Sequence, residues 1–185
     1  MDIVLFYAPF SEGSSGSRSF LRQAACLYSG LTDDELGDIQ EGRWGKPYFP
    51  ALPGLHFSVT HSGDWWICGF SSHPLGIDLQ IHRSHAQPRH LSERFFHPDE
   101  DAWLAQKDYD PFFDLWSAKE SWVKYTGTGF FQDPDSFSVV DQSGVFPSHP
   151  DGFLKLIPFQ PDYSLCLCTL QPCSWSFRPL LQDPL

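Results

Sequence analysis

Positive charge is scarce in this sequence. Its 185 residues carry 12 Lys and Arg against 23 Asp and Glu, a formal net charge of −11 at pH 7, and the isoelectric point is near 4.9. Proteins that bind nucleic acid neutralise phosphates with basic stripes; none occurs here, so no nucleic-acid partner is expected. Long apolar runs are also lacking: none approaches the roughly 20 residues of a membrane span, so no membrane partner is expected either. The opening MDIVLFYAPF has no basic segment ahead of its apolar stretch and reads as a strand rather than a signal sequence. The expectation is a soluble, cytoplasmic monomer. The five cysteines, Cys26, Cys68, Cys166, Cys168 and Cys173, are odd in number, in a chain long enough to fold without disulfides. Cys166 and Cys168 would share one face of a strand. Without further partners at ligand spacing they are expected to be buried thiols rather than a metal site.

Aromatic residues and proline are plentiful. Seventeen Phe and seven Trp suffice for a globular core, and 16 Pro in 185 residues exceed the usual ~5%, which favours many ordered loops. The length suits one large domain or two small ones packed together. Residues 2–8 read as a strand, 11–17 as a polar loop and 18–29 as a helix stopped by Gly30. A further helix starts after Thr32, with Glu35 completing a capping box. Residues 42–56 read as loop or edge strand. Two strands are then expected on either side of His61–Asp64, followed by a strand over 75–81. Helices are expected around 88–96 and 98–107, and a strong one over FFDLWSAKESWVKYTG closes at Gly127. SFSVV, FLKLIPF and YSLCLCTL read as strands, and the tail after Pro172 as irregular.

Four segments carry residues suited to chemistry. On the helix ending at Gly127, Trp116, Glu120 and Lys124 recur every fourth residue and stack on one face, with Lys119 adjacent. That pattern fits either a solvated ion pair or a partly desolvated carboxylate that binds a cation or acts as a base. In GIDLQ, Asp78 and Gln80 alternate with Ile77 and Leu79. Two oxygens thus share one strand face, which suits Mg²⁺ or the polar side of a half-buried strand. Lys46, held between Gly45 and Pro47, presents a fixed charge to a phosphate. The His61-Ser62-Gly63 turn, with Thr60 before it, offers hydroxyl, imidazole and backbone N–H groups to the same kind of ligand. Only five lysines occur, and three of them, Lys46, Lys119 and Lys124, lie in these segments. Either they are reserved for a small anionic ligand, or they are ordinary solvated side chains.

Together, GKP (45–47), HFSVTHSGDW (56–65), GIDLQ (76–80), RFFHPDE (94–100) and LWSAKESWVKYTGTG (115–129) resemble, in order and spacing, the signature of the 4'-phosphopantetheinyl transferases of the surfactin-synthetase-activating (Sfp) type. The resemblance runs over about residues 17–170. It implies an α+β protein of two similar halves related by a pseudo-twofold, about 1–74 and 75–185, with a ligand cleft between them. It also implies a Mg²⁺-dependent enzyme that moves the phosphopantetheine arm of coenzyme A to a serine of an apo acyl or peptidyl carrier protein, releasing 3',5'-ADP. Asp78 and Glu120 match the family's metal carboxylates. Lys124 matches the lysine on the coenzyme A phosphates, and Glu120, or a water it holds, would take the serine proton. Lys46, Pro47, Thr60 and His61 match residues that grip coenzyme A. Glu100 matches an acidic position whose role stays open. Two departures stand out. Gln80 replaces the family's usual Glu as the third metal residue, and SEGSSGS replaces a basic helical segment, leaving Arg18 and Ser19 as candidates for the nucleotide. These departures motivate an alternative, a non-catalytic member that binds coenzyme A or a carrier. An unrelated Mg²⁺-dependent nucleotide enzyme would also need Asp78 and Glu120.

Overall fold

The computed structural model describes residues 2–11, 16–42, 45–127, 129, 133–141, 148–149 and 152–180. The alternation in DIVLFYAP makes strand β1 (Asp2–Pro9). Val4, Phe6 and Ala8 join one core and Ile3, Leu5 and Tyr7 another, because successive side chains leave a strand on opposite faces. Helix α1 (Gly16–Ser29) ends as expected at Gly30, whose φ of 75° suits glycine and whose N–H donates to the Cys26 carbonyl at 2.8 Å. The single turn α2 (Asp33–Leu36) carries the expected capping box, with the Thr32 N–H on Glu35 Oε2 at 2.8 Å. Short strands β2 (Gln40–Glu41) and β3 (Pro47–Tyr48) pair with each other. Strands β4 (His56–Ser62) and β5 (Trp65–Ser71) form the expected hairpin, and β6 (Leu75–Ile81) follows. Helices α3 (Pro88–Phe95), α4 (Pro98–Ala105) and α5 (Phe112–Thr126) lead to strands β7 (Ser148–His149), β8 (Gly152–Leu156), β9 (Tyr163–Thr169) and β10 (Ser174–Pro179). The polar loop expected at 11–17 lies mostly outside the described residues.

Two expectations fail. SFSVV is not a strand: Pro134–Ser136 form a 3-10 turn, and the following backbone is bound by side chains instead of a neighbouring strand. Glu100 Oε1 accepts the Val139 N–H at 2.8 Å, and Lys119 Nζ donates to the Phe137 carbonyl at 2.8 Å. The tail is not irregular either. β10 pairs in parallel with β1, from Asp2↔Ser174 to Tyr7↔Pro179, and Trp175 and Phe177 pack onto the core that contains Ile3 and Leu5.

The architecture is α+β with two principal sheets, ordered β10-β1-β5-β4 and β6-β9-β8-β7. Within them β1-β5-β4 and β6-β9-β8 share one pattern, a strand paired antiparallel to the second strand of a later hairpin. A common core joins the sheets, with Ile3, Leu5 and Ile67 from the first and Leu75, Ile77, Leu79, Leu165 and Leu167 from the second. On the other face of the first sheet, Leu21, Ala24 and Ala25 of α1 meet Phe6, Trp66 and Phe70. On the other face of the second, Leu115, Ala118 and Trp122 of α5 meet Leu154, Cys166 and Cys168. All five cysteines are free; Cys166 and Cys168 share a face as expected, and burial pushes the Cys166 thiol up to about 12. Among the described residues no helix is long and apolar enough to cross a membrane.

The sheets meet along β4 and β6 through side chains. Ser58 Oγ accepts the Ile77 N–H at 3.1 Å, Thr60 Oγ1 the Leu79 N–H at 3.0 Å, and Ser62 Oγ the Ile81 N–H at 3.0 Å. These three hydroxyls stand in for the ladder that β6 lacks on this edge and leave none of its outward N–H groups there orphaned. On the opposite side of β6, α5 lies so close that a Cβ on Gly76 would be 2.0 Å from the Ser121 carbonyl oxygen and 2.4 Å from the Tyr125 nitrogen. Gly76→Ala is therefore expected to force α5 off the sheet and cost about 3 kcal/mol or more in a denaturant melt. Gly54→Ala, where nothing lies within 4 Å, should be neutral by the same measurement.

Candidate active site

β6 buries Ile77 and Leu79 in the inter-sheet core and turns Asp78 and Gln80 toward α5. The expected sharing of one face by these two residues is met. Asp78 is only 3% exposed, and a carboxylate at that depth needs donors. Three converge on it: Lys124 Nζ at 2.6 Å and Thr60 Oγ1 at 3.2 Å from Oδ1, and Gln80 Nε2 at 2.7 Å from Oδ2. Lys124 itself remains partly exposed.

Glu120 lies one turn before Lys124 on α5. Burial pushes its carboxyl above the usual range, the Asp78 charge adds to that, and Lys124 and Lys119 oppose it. The Asp78 carboxylate, the raised Glu120 carboxyl and the Lys124 ammonium between strand and helix form one charged cluster. Beside it opens a pocket of about 240 Å³ lined by Phe95, Phe96, Trp116, Lys119, Glu120 and Pro134. The first turn-face residue expected on this helix, Trp116, is thus a pocket wall. Phe95 and Phe96 come from the RFFHPDE segment, whereas Pro134 had no signal in the sequence, because it reaches the pocket from a distant segment.

Lys119 is not available to a ligand, contrary to the reading that groups it with the anion-binding lysines. It is 4% exposed and pairs with the fully buried Glu100 at 2.7 Å. Its ammonium also lies 4.0 Å from the centroid of the Phe137 ring. Burial holds its pKa below the ordinary lysine value, against the opposing pull of Glu100. Glu100 accepts from Lys119 and from the backbone N–H groups of His97 and Val139. Its role is to tie α4, α5 and residues 137–139 together.

The remaining site residues come from β3, β4 and α1 and the residue before β3. Lys46 Nζ donates to the carbonyls of Leu75 and Lys124, at 3.1 and 2.6 Å, and burial lowers its pKa to about 8. Pro47 starts β3 beside it. Thr60 is committed to Leu79 and Asp78 as described. His61 is exposed, with its ring 4.7 Å from that of Phe10. Arg18 and Ser19 are exposed in the first turn of α1. Phe10 also touches Phe20 on that helix, which brings His61 toward the same end. The structure therefore joins Asp78, Gln80, Thr60 and Lys124 by direct contacts and brings Glu120 within their electrostatic influence, with Lys46 anchored to the backbone of the same helix and strand. His61, Arg18 and Ser19 form a separate exposed group. Removing the buried cation by Lys119→Met should strand Glu100 and destabilise the fold by about 3–5 kcal/mol, read from chemical denaturation.

Among the described residues, no group of three or more His, Cys, Asp and Glu side chains is placed to hold a metal ion. Two carboxylates and an amide are what Asp78, Glu120 and Gln80 offer. That set fits Mg²⁺, which takes few protein ligands and fills its shell with water and phosphate oxygens.

The sequence profile of the 4'-phosphopantetheinyl transferase superfamily matches residues 74–177. The chain is similar to a 4'-phosphopantetheinyl transferase of Bacillus subtilis, 37% identical over 163 residues, which cover 82% of this chain and 71% of the relative. It is also 37% identical over 139 residues to the 4'-phosphopantetheinyl transferase Sfp of Bacillus subtilis strain 168, covering 70% of this chain and 61% of the relative. A third relative, 4'-phosphopantetheinyl transferase ffp of Bacillus subtilis, is 35% identical over the same share of each chain. The chain spans only about three fifths of the length of the second and third. With the profile match covering the second sheet and α5 together, this chain belongs to the 4'-phosphopantetheinyl transferase superfamily, as a member of Sfp type.

Proposed function

We propose that this protein transfers the 4'-phosphopantetheine arm of coenzyme A to a serine of an apo acyl or peptidyl carrier protein in the cytoplasm, releasing 3',5'-ADP. The observation that carries this reading is the Asp78–Lys124 contact of 2.6 Å, set beside the raised carboxyl of Glu120 at the edge of an apolar pocket. In the transfer, the serine oxygen forms a bond to the β-phosphorus of the coenzyme A pyrophosphate, and the bond from that phosphorus to the bridging oxygen of 3',5'-ADP breaks. Asp78, Glu120 and Gln80 would hold Mg²⁺. A bound magnesium ion supplies charge neutralisation to pyrophosphate oxygens. Glu120, or a water it holds, takes the serine proton. Lys124 exchanges Asp78 for a phosphate oxygen and offsets the charge that develops on the departing nucleotide. The pocket between Phe95, Trp116 and Pro134 accommodates the pantetheine chain.

The halves 1–74 and 75–185 would then flank the coenzyme, with the last strand of the second returning to the first sheet. The common order β1-β5-β4 and β6-β9-β8 supports a pseudo-twofold relation. Arg18, Ser19 and His61, exposed at one end of the first sheet, suit the nucleotide's phosphates, whereas the Lys46 ammonium is held by two carbonyls.

Incubation with coenzyme A, Mg²⁺ and apo carrier should add the mass of the phosphopantetheine arm to the carrier. Complete absence of that gain across acyl and peptidyl carriers would favour a binding-only protein. Glu120→Gln and Asp78→Asn keep side-chain shape and should each lower turnover by about 100-fold or more; near-normal loading by Glu120→Gln would sink its assignment as base. Gln80→Glu should lower the Mg²⁺ concentration for half-maximal loading several-fold, because a charged oxygen binds a hard cation better than an amide does. An unmoved titration curve would place Gln80 outside the metal's reach.

A further inference from the structure

Lys46 is attached to the rest of the molecule in a way that phosphate binding does not require. Its backbone is pinned on the N-terminal side: the Gly42 N–H donates to the Lys46 carbonyl at 2.9 Å, and the Gly45 N–H to the Gly42 carbonyl at 3.0 Å. Gly45 takes a φ of 80° there. From there the side chain passes Gly127, whose added Cβ would lie 3.4 Å from Lys46 Cδ. It ends on two carbonyl oxygens, Leu75 at the start of β6 and Lys124 in the last turn of α5. Among the described residues no carboxylate pairs with it.

The Lys124 carbonyl belongs to the group that an α-helix leaves without an internal donor, and a cation there also opposes the negative end of the helix dipole. The Leu75 carbonyl is three residues from Asp78. One ammonium thus fixes the end of α5 against the start of the strand that carries the carboxylate. Sliding or fraying of that helix end would carry Lys124 Nζ away from Asp78 and alter the approach of Glu120.

We propose that Lys46 is a positioning residue, clamping the last turn of α5 to β6 so that Glu120 and Lys124 are held opposite Asp78. The kinetic part of this rests on the transferase reading above; the mechanical part does not. Lys46→Met keeps the aliphatic stem and removes the donors. It should lower turnover at saturating coenzyme A by about tenfold or more, while the calorimetric affinity for coenzyme A changes by less than about threefold. A residue that merely gripped phosphate would give the reverse, weaker affinity with turnover restored at saturation, and that result overturns the proposal. Loss of melting temperature with both constants intact overturns it as well.

Hydrogen exchange of the 121–127 backbone gives a second readout that needs no catalysis. It should be accelerated in Lys46→Met and unchanged in the exposed control Lys155→Met. If the wild type loads no carrier, the transferase reading fails while exchange still decides the clamp: faster exchange supports it, and equal exchange overturns it. Should Lys46→Met not fold, Lys46→Arg serves instead. It keeps a charge for phosphate but cannot seat its wider fork between the two carbonyls, so turnover should fall with affinity kept. Full turnover in that variant overturns the clamp.

Discussion

The row of hydroxyls from Ser58, Thr60 and Ser62 is the constraint on which the site depends. Taken one by one, such hydrogen bonds contribute modestly, about 0.5–1.5 kcal/mol each, but a buried N–H left without a partner costs about 1–3 kcal/mol. Their spacing matters more than their number. Every second residue of β4 meets every second residue of β6, so the register between the sheets is fixed without a backbone ladder. A slip of β4 by one residue would put Phe57, Val59 and His61 against those N–H groups in place of the hydroxyls. Thr60 binds both the Leu79 N–H and the Asp78 carboxylate, so the group that joins the sheets also aims the acidic side chain.

α5 carries two lysines with opposite fates. Lys119 is sealed with Glu100 beneath Phe137, while Lys124, five residues on and so on a different helix face, stays partly exposed against Asp78. The first pair resembles other buried ion pairs in that breaking it leaves a charge without a partner. The second can exchange partners, because one of its members reaches solvent. Glu120, on the same face as Lys124, feels Asp78 and burial together. The buried structural pair and the proposed chemistry are therefore separated by angle around one helix.

Much of this was legible in the residues themselves. Gly30 and Gly127 mark the two helix ends, Thr32 and Glu35 form their capping box, and the alternation of Ile77 and Leu79 with Asp78 and Gln80 assigns the faces of β6. Periodicity exposes such features because they are local. What stayed hidden depends on distant partners. SFSVV has strand composition, yet its backbone groups are captured by Glu100 and Lys119, residues that propensity does not weigh. The proline-flanked tail gives no sign that β1 has an open edge for it. Lys46 reads as a fixed charge for a phosphate in a Gly-Pro turn, and only the crossing of α5 over β6 supplies the two carbonyls that hold it.

The central claim is that Asp78, Glu120 and Lys124 form one site that opens to a pyrophosphate. A crystal structure with coenzyme A and Mg²⁺ bound tests it most directly. In that structure Lys124 Nζ should be withdrawn from Asp78 and placed on a phosphate oxygen, with the carboxylates of Asp78 and Glu120 facing the metal ion and the pantetheine chain running beside Trp116. Coenzyme A bound elsewhere, with the Asp78–Lys124 contact still closed at 2.6 Å, would contradict it.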